Sequence, residues 1–263
     1  MALEYNPLGG GGNDADAQAF ITAASITDST QQSAINTLVT QLKGYGIWTK
    51  MKALYPFVGG NASAHKFNLK DPRDLDAAYR LVFNGGWTHS SNGALPNGTN
   101  AYADTKLNPR TALSIGSSHI SKYNRNNDLT GSSKTDGCYD GSGPLFFQQN
   151  YVSANGAIGD INNVVSYTQT DTRGLFITTR TSSNILKVFK NTTQQGSTNT
   201  TTIPNNPNTF IYIGARSYNN SLVDSYNIYE SAFASIGDGL SDAEAANFYT
   251  AVQTFQSTLG RNV

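Results

Sequence analysis

Few side chains in this sequence could carry acid–base, nucleophilic or metal chemistry. There are three histidines (His65, His89, His119), one cysteine (Cys138) and three glutamates (Glu4, Glu230, Glu244). Hydrolysis of a glycosidic bond needs two carboxylates across it, about 5–5.5 Å apart in retaining enzymes. No E-x-D-x-E alternation offers such a pair, and Asp71, Asp74 and Asp76 fall in a turn-like DPRDLD segment. A serine nucleophile on a hydrolase fold would show a G-x-S-x-G turn, and none occurs. Cys138 has no histidine near it in sequence. Binding chemistry is better represented. In residues 85–104, Trp87, His89, Asn92, Asn97, Asn100 and Tyr102 combine ring faces with amides and hydroxyls. That mixture suits a sugar, whose C–H face lies on a ring while polar groups fix its orientation. The same residues would equally serve as a core tryptophan among turn-forming Asn and Gly. Tyr218-Asn219-Asn220-Ser221 is a second, smaller set of this kind.

The elements that must position these residues are marked most sharply at the C-terminus. A strand-like run, 229–236, passes through Gly237-Asp238-Gly239 into a helix. Ser241 and Glu244 form an S-x-x-E capping box, with Leu240 and Ala245 as its staple. Ala245, Phe248, Tyr249, Val252, Phe255 and Leu259 recur at helical spacing, and Gly260 stops the run. Two shorter helices are predicted near the N-terminus. Asp14 caps one that carries Phe20 and Ile21; Asp28 caps the next, whose stripe is Ile35, Leu38, Val39 and Leu42.

From Met51 the spacing changes to alternation. Strands are predicted at 51–58, 64–69, 79–83, 101–107, 118–123, 145–149, 163–167, 174–180, 185–190, 209–213 and 228–236, with 174–180 and 185–190 forming a hairpin. The Thr/Asn/Gln-rich stretch 191–202 reads as an exposed loop. Many short strands with polar turns and little internal helix imply a mostly β sandwich or jelly roll. The expected organisation is an arm and Gly tether at 1–12, a helical segment at 13–50 packed on the sandwich, and the sandwich with its terminal helix at 51–263.

Only 14% of the 263 residues are charged and the formal net charge is zero, against about a quarter charged in ordinary soluble proteins. Lys and Arg are scattered, so no cationic stripe favours nucleic acid. The opening MALEYNPLGGGG lacks the basic and apolar regions of a signal peptide. No run approaches the ~18 apolar residues of a membrane span. A chain made in a host cytoplasm, without disulfides but with a neutral hydrogen-bonding surface, fits a structural protein exposed on a particle.

The order RGLFITTRTSSNILKVFKN, FIYIGAR, FASIGDGLSDAEAANFY resembles the closing half of concanavalin A-like, laminin-G-like jelly rolls, although Lys190-Asn191-Thr192 lacks the usual turn glycine. GALPNG followed by AYADTKLN resembles the early loop and strand of that fold. Residues 13–263 are together similar to a module of bacteriophage virion surface proteins, capsid- or tail-fibre-associated. The resemblance implies a jelly-roll sandwich with two N-terminal helices and one C-terminal helix, and it brings no catalytic residue. It implies a non-enzymatic surface component: a capsid decoration, a head fibre or a tail receptor-binding part that contacts host glycans. Residues 1–12 would hold other virion proteins, and the assembly would be a homo-oligomer, a trimer by analogy. Laminin-G-like domains often hold one calcium at a loop edge. Asp104, Asp136 and Asp140, with Asp160, are the carboxylates that could supply its oxygens. The alternatives are a free or cell-surface lectin and a polysaccharide-degrading enzyme on the same fold.

Overall fold

The helices form where local signals place them. In the structure, a computed structural model that describes residues 12–130, 134–141, 145–149, 153–158, 164–203 and 205–263, α1 spans Ala15–Ala23 and α2 spans Ser29–Gly44. Asp14 and Asp28 cap them by accepting from the backbone N–H groups of Asp16 and Gln31. Ile35, Leu38, Val39 and Leu42 are all fully buried, as a single apolar stripe requires.

The strands follow in short steps. β1 (Met51–Tyr55) leads to a one-turn helix, α3 (Ala62–His65). Then come β2 (Val82–Asn84), β3 (Trp87–Ser90), β4 (Gly93–Pro96), β5 (Tyr102–Asp104) and a second short helix, α4 (Pro109–Ala112). The middle of the chain supplies β6 (Ser118–Asn124), β7 (Thr135–Tyr139), β8 (Leu145–Gln149), β9 (Ser153–Ile158) and β10 (Val164–Thr168). The hairpin β11 (Gly174–Ser182) and β12 (Ile185–Lys190) continues into β13 (Thr193–Asn199). The chain closes with β14 (Tyr212–Ile213), β15 (Arg216–Tyr218), β16 (Leu222–Asp224), β17 (Ser231–Gly237) and α5 (Asp242–Thr258).

Three expectations change. Of residues 79–83, expected as one strand, Tyr79 ends a 3-10 turn at a left-handed φ of 57° and only Val82 and Phe83 lie in β2. Residues 64–69 do not form a strand, because Asn61 caps a helical turn there, its side chain accepting from Ala64 N–H at 3.0 Å. The polar stretch after Lys190 is a strand rather than a loop. β13 pairs with β12 at the sheet edge, where one side of a strand needs no apolar cover.

The strands form two sheets. One runs β13-β12-β11-β6-β17-β4-β3, with β1 also on β17; the other runs β10-β9-β8-β7-β14-β5-β2, with the β15–β16 hairpin attached to β7. Alternation divides the core in two. On the first sheet Leu54, Tyr123, Ile177 and Phe233 face α1, α2 and α5, and join Phe20, Leu38, Phe248 and Phe255. The intervening Tyr55, Ile120, Val188 and Ile236 face the second sheet and meet Ala103, Cys138, Phe146, Ile158 and Ile213. The first sheet is therefore covered on both faces. At one side the edges approach each other, Asn199 Nδ2 donating to Val164 O at 3.2 Å.

Two buried cations tie the layers. Lys122 reaches from β6 to both carboxylate oxygens of Asp136 on β7, each at 3.0 Å, and neither side chain is more than 1% exposed. Asp136 Oδ1 also accepts from Gly214 N–H at 2.7 Å and Asn227 Nδ2 at 3.0 Å. Near the C-terminus the Arg261 guanidinium donates to the carbonyls of Pro56, Phe57 and Ala232. It thereby holds the loop in which Phe57 takes a left-handed φ of 45°.

The α5 capping box is complete. Ser241 N–H donates to Glu244 Oε2 at 2.8 Å, and Glu244 N–H donates to Ser241 Oγ at 3.4 Å. Glu244 also binds Lys50 at 2.7 Å, so it joins the helix to the end of the first sheet. Ser241→Ala is expected to lower stability by about 1 kcal/mol, readable as a shift in the urea midpoint with an unchanged slope.

Candidate functional site

The predicted ring-and-amide set is largely absorbed by packing. Trp87 on β3 lies edge-on to Phe83 at 5.3 Å and stacks on His89 at 6.2 Å. Its indole N–H donates to Asn84 O at 3.0 Å and Tyr102 O at 3.3 Å. The ring packs over Gly214, where an added Cβ would come within 2.7 Å of it. His89 shares a 2.9 Å Nδ1–Nδ1 hydrogen bond with buried His65. Asn97 Oδ1 accepts from the N–H groups of Thr99, Asn100 and Ala101, and its Nδ2 donates to Asn100 Oδ1 at 2.8 Å. Asn100 Oδ1 also accepts from Gly86 N–H. These amides hold the β4–β5 loop against the Gly85-Gly86 turn. Asn92 is exposed in the β3–β4 turn, apart from that loop. Of the six residues, Tyr102 lies on the outer face of the second sheet, next to Tyr212.

The aspartates do not gather into a metal site. Asp104 pairs with Lys106 at 2.9 Å, Asp136 is sealed between the sheets with Lys122, and Asp140 faces Arg110 at 3.7 Å. Among the described residues, no three His, Cys, Asp or Glu side chains stand close enough to share an ion. Each carboxylate is neutralised where the strands put it, whereas calcium would need several oxygens converging on one point. Asp160 lies outside the described residues.

One arrangement has the form of a nucleophile and base. His119 Nδ1 is 2.7 Å from the Asp238 carbonyl, which can only accept, so Nδ1 carries the proton. Nε2 then accepts from Ser235 Oγ at 2.9 Å, and Ser235 also bonds Ser121 at 2.7 Å. All three side chains are fully buried beneath α5, with Phe248 edge-on to the imidazole at 6.1 Å. Burial pushes the His119 pKa down to about 4. No acid orients the ring and no route to solvent reaches the serine. The group therefore works as a structural network.

The outer face of the second sheet has a different character. Ala103, Cys138 and Ile213 point inward, so by alternation Tyr102, Tyr139 and Tyr212 point outward. Register then places Tyr218 beside Tyr139, and Leu222 beside Tyr218. The Tyr139 and Tyr218 rings meet edge to face at 5.1 Å, and Tyr102 and Tyr212 stack at 4.8 Å. Arg216 lies 5.8 Å from the Tyr139 ring centre and makes two hydrogen bonds to Asp224, at 2.8 and 2.7 Å. Phe147 on β8 extends the aromatic strip, packing with Tyr139 and Val164. Beyond it, Ser153 and Asn155 on β9 face Ser166 and Thr168 on β10 across a shallow depression of about 450 Å³. The long helices α1, α2 and α5 pack on the first sheet and leave this face to rings, hydroxyls and amides.

Tyr139, Tyr212 and Arg216 went unnoticed in the sequence because β7 runs Thr-Asp-Gly-Cys-Tyr, a composition that reads as a loop. β14 and β15 are only two and three residues long. A tyrosine at alternate positions in Gly137-Cys138-Tyr139 and Arg216-Ser217-Tyr218 was the available signal.

No family model and no curated protein matches this sequence. Several solved structures are similar in shape. Domain 4 of AbnA, a GH43 extracellular arabinanase from Geobacillus stearothermophilus in complex with arabinotriose, has a TM-score of 0.49 at 9% identity, covering 76% of this chain and 98% of that one. The botulinum neurotoxin serotype D binding domain gives 0.46 at 14% identity, with 78% of this chain and 52% of that one covered. A mutant of Trypanosoma rangeli sialidase displaying trans-sialidase activity gives 0.48 at 10% identity, covering 85% and 39%. This chain thus spans about half the length of the neurotoxin domain and less of the sialidase. At such distances none of them speaks to what this chain binds. The fold rests on its own strand order, that of a mostly β, two-sheet antiparallel sandwich of the jelly-roll kind.

Proposed function

We propose that this chain is a non-enzymatic glycan-binding module on the surface of a bacteriophage particle, with its ligand surface on the outer face of the second sheet. The observation that carries the binding role is the contrast between the two sheets. Helices cover one, and the other presents paired tyrosines beside a polar groove. Ring faces flanked by hydroxyls and amides suit a sugar. The non-enzymatic role is supported by the chemistry of the interior, where the serine–histidine contact is sealed and the carboxylates face cations. The particle context is supported by the resemblance of residues 13–263 to virion modules and by the neutral surface. In that context residues 1–12 hold other virion proteins and the chain assembles as a homo-oligomer.

The test is a glycan array probed with the full chain, with and without calcium, beside a Tyr139→Ala variant. Defined spots that fade at least tenfold in the variant are the expected result. An array blank under both conditions would remove the binding role. Release of reducing ends from a polysaccharide, abolished by a single Asp substitution, would remove the non-enzymatic one. Deleting residues 1–12 should abolish incorporation into particles, and undiminished incorporation would refute the arm.

A further inference from the structure

Resting on the glycan-binding role of the outer face, we infer that its ligand is a linear, uncharged glycan chain lying across the strands, rather than a terminal monosaccharide or an acidic sugar. Three features of the face point to this class. The first is direction. Leu222, Tyr218 and Tyr139 stand side by side on β16, β15 and β7, so the rings step across the sheet instead of along one strand. Phe147 on β8, buried and opposite Gly137, packs against Tyr139, and half-exposed Val164 on β10 extends this row diagonally. Neighbouring strands are about 4.8 Å apart, close to the length of one unit in a linear saccharide. From β16 to β10 the face is six strands wide, roughly 24 Å at that spacing, which is room for several units.

The second feature is shape. Tyr139, Tyr218 and Tyr102 are half-exposed while Phe147 and Tyr212 are buried beside them, and the depression beyond Phe147 is shallow and lined by Ser153, Asn155, Ser166 and Thr168 with Tyr167. A single terminal sugar needs a pocket that surrounds it, whereas a chain gains contact by length. The third feature is charge. Lys106, Arg110 and Arg216 are cations on and beside this face. Each stands opposite an aspartate, at 2.9, 3.7 and 2.7 Å respectively. A sialate or uronate would have to displace Asp224 from a two-point contact with Arg216, or be repelled by it. Hydroxyl-rich neutral units meet no such cost. Leu222, 62% exposed beside Tyr218, adds apolar surface for their C–H faces.

The experiment titrates the full chain by calorimetry with size ladders of neutral oligosaccharides (β-1,4-gluco-, β-1,4-manno- and α-1,5-arabino-series). Oligogalacturonate and oligosialate ladders are run in parallel, all at low and high salt. One neutral series is expected to bind, its affinity rising with each added unit to about five units and unchanged by salt. Tyr139→Ala and Tyr218→Ala should each weaken it by roughly tenfold or more, with the thermal midpoint held within a few degrees. Binding of an acidic series that fades with salt overturns the inference about charge and leaves the glycan role standing. Equal affinity for a monomer and a pentamer overturns the inference about length, again sparing the role. A chain silent to every ladder and to the array defeats both. If the same substitutions instead convert an oligomer to a monomer in sedimentation, the face is an interface between copies and the inference falls.

Discussion

Asp136→Ala is expected to cost about 3–5 kcal/mol, because it leaves Lys122 as an uncompensated charge between the sheets. Lys122 is fully buried, and burial already holds its pKa below the usual lysine value in spite of the Asp136 carboxylate. The substitution also strips an acceptor from Gly214 N–H and Asn227 Nδ2, each a buried donor that is costly to leave unpaired. A loss of that size is a large share of the 5–15 kcal/mol that holds a typical domain together. Lys122→Met combined with Asp136→Asn should be markedly milder than Asp136→Ala. It removes both charges, and the asparagine oxygen can still accept from Gly214. Urea unfolding of the two variants measures the difference. An Asp136→Ala protein within about 1 kcal/mol of the parent would show that water or rearrangement compensates Lys122 and that the pair does not bridge the sheets as described.

The second large effect is acid lability between about pH 6.5 and pH 4. Burial, with His89 and Arg261 nearby, pushes the His65 pKa down to about 3; burial, against the Asp238 hydrogen bond, takes His119 down to about 4. In the unfolded chain both titrate near 6.5. As pH falls below 6.5 the unfolded state takes up protons that the native state refuses, so stability is full above that pH and declines below it. Each histidine removes up to about 1.4 kcal/mol per pH unit across the window, or roughly 2.5 kcal/mol apiece by pH 4.5. His89, also lowered by burial, adds in the same direction. The carboxylates act later. Asp128, held down to about 2 by Thr130 and Lys134, contributes stability that is lost only below the ordinary aspartate range. Unfolding free energies at a series of pH values, with His119→Gln as a control, test the assignment. The variant should lose part of the slope, and a parent whose stability is flat from pH 7 to pH 5 would refute it.

The two effects belong to interior groups that differ in how visible they are in sequence. His119 and Lys122 sit in the predicted strand 118–123, but nothing local shows that this strand is buried on both faces. Burial on one face comes from α2 and α5, distant in the chain, and on the other from the second sheet. The same holds for Asp136. In sequence it was a candidate calcium ligand at a loop edge, and Lys122 on β6 made it half of an interior ion pair.

What sequence alone determined are the features whose causes lie within a few residues. The caps Asp14, Asp28 and Ser241, the stripe on α2, the α5 box and the β11–β12 hairpin all follow from spacing, and all are present. Composition and alternation likewise determined a mostly β sandwich. Which rings remain on the surface was decided by pairing between remote segments. Trp87 and the Asn97–Asn100 amides look like a sugar site in one dimension, yet β5 and Gly214 close over the indole and the loop consumes the amides. Tyr139 and Tyr218 are 79 residues apart and share one platform because β15 lies against β7. Strand register, which sets the exposed face, depends on contacts that no local window of the chain contains.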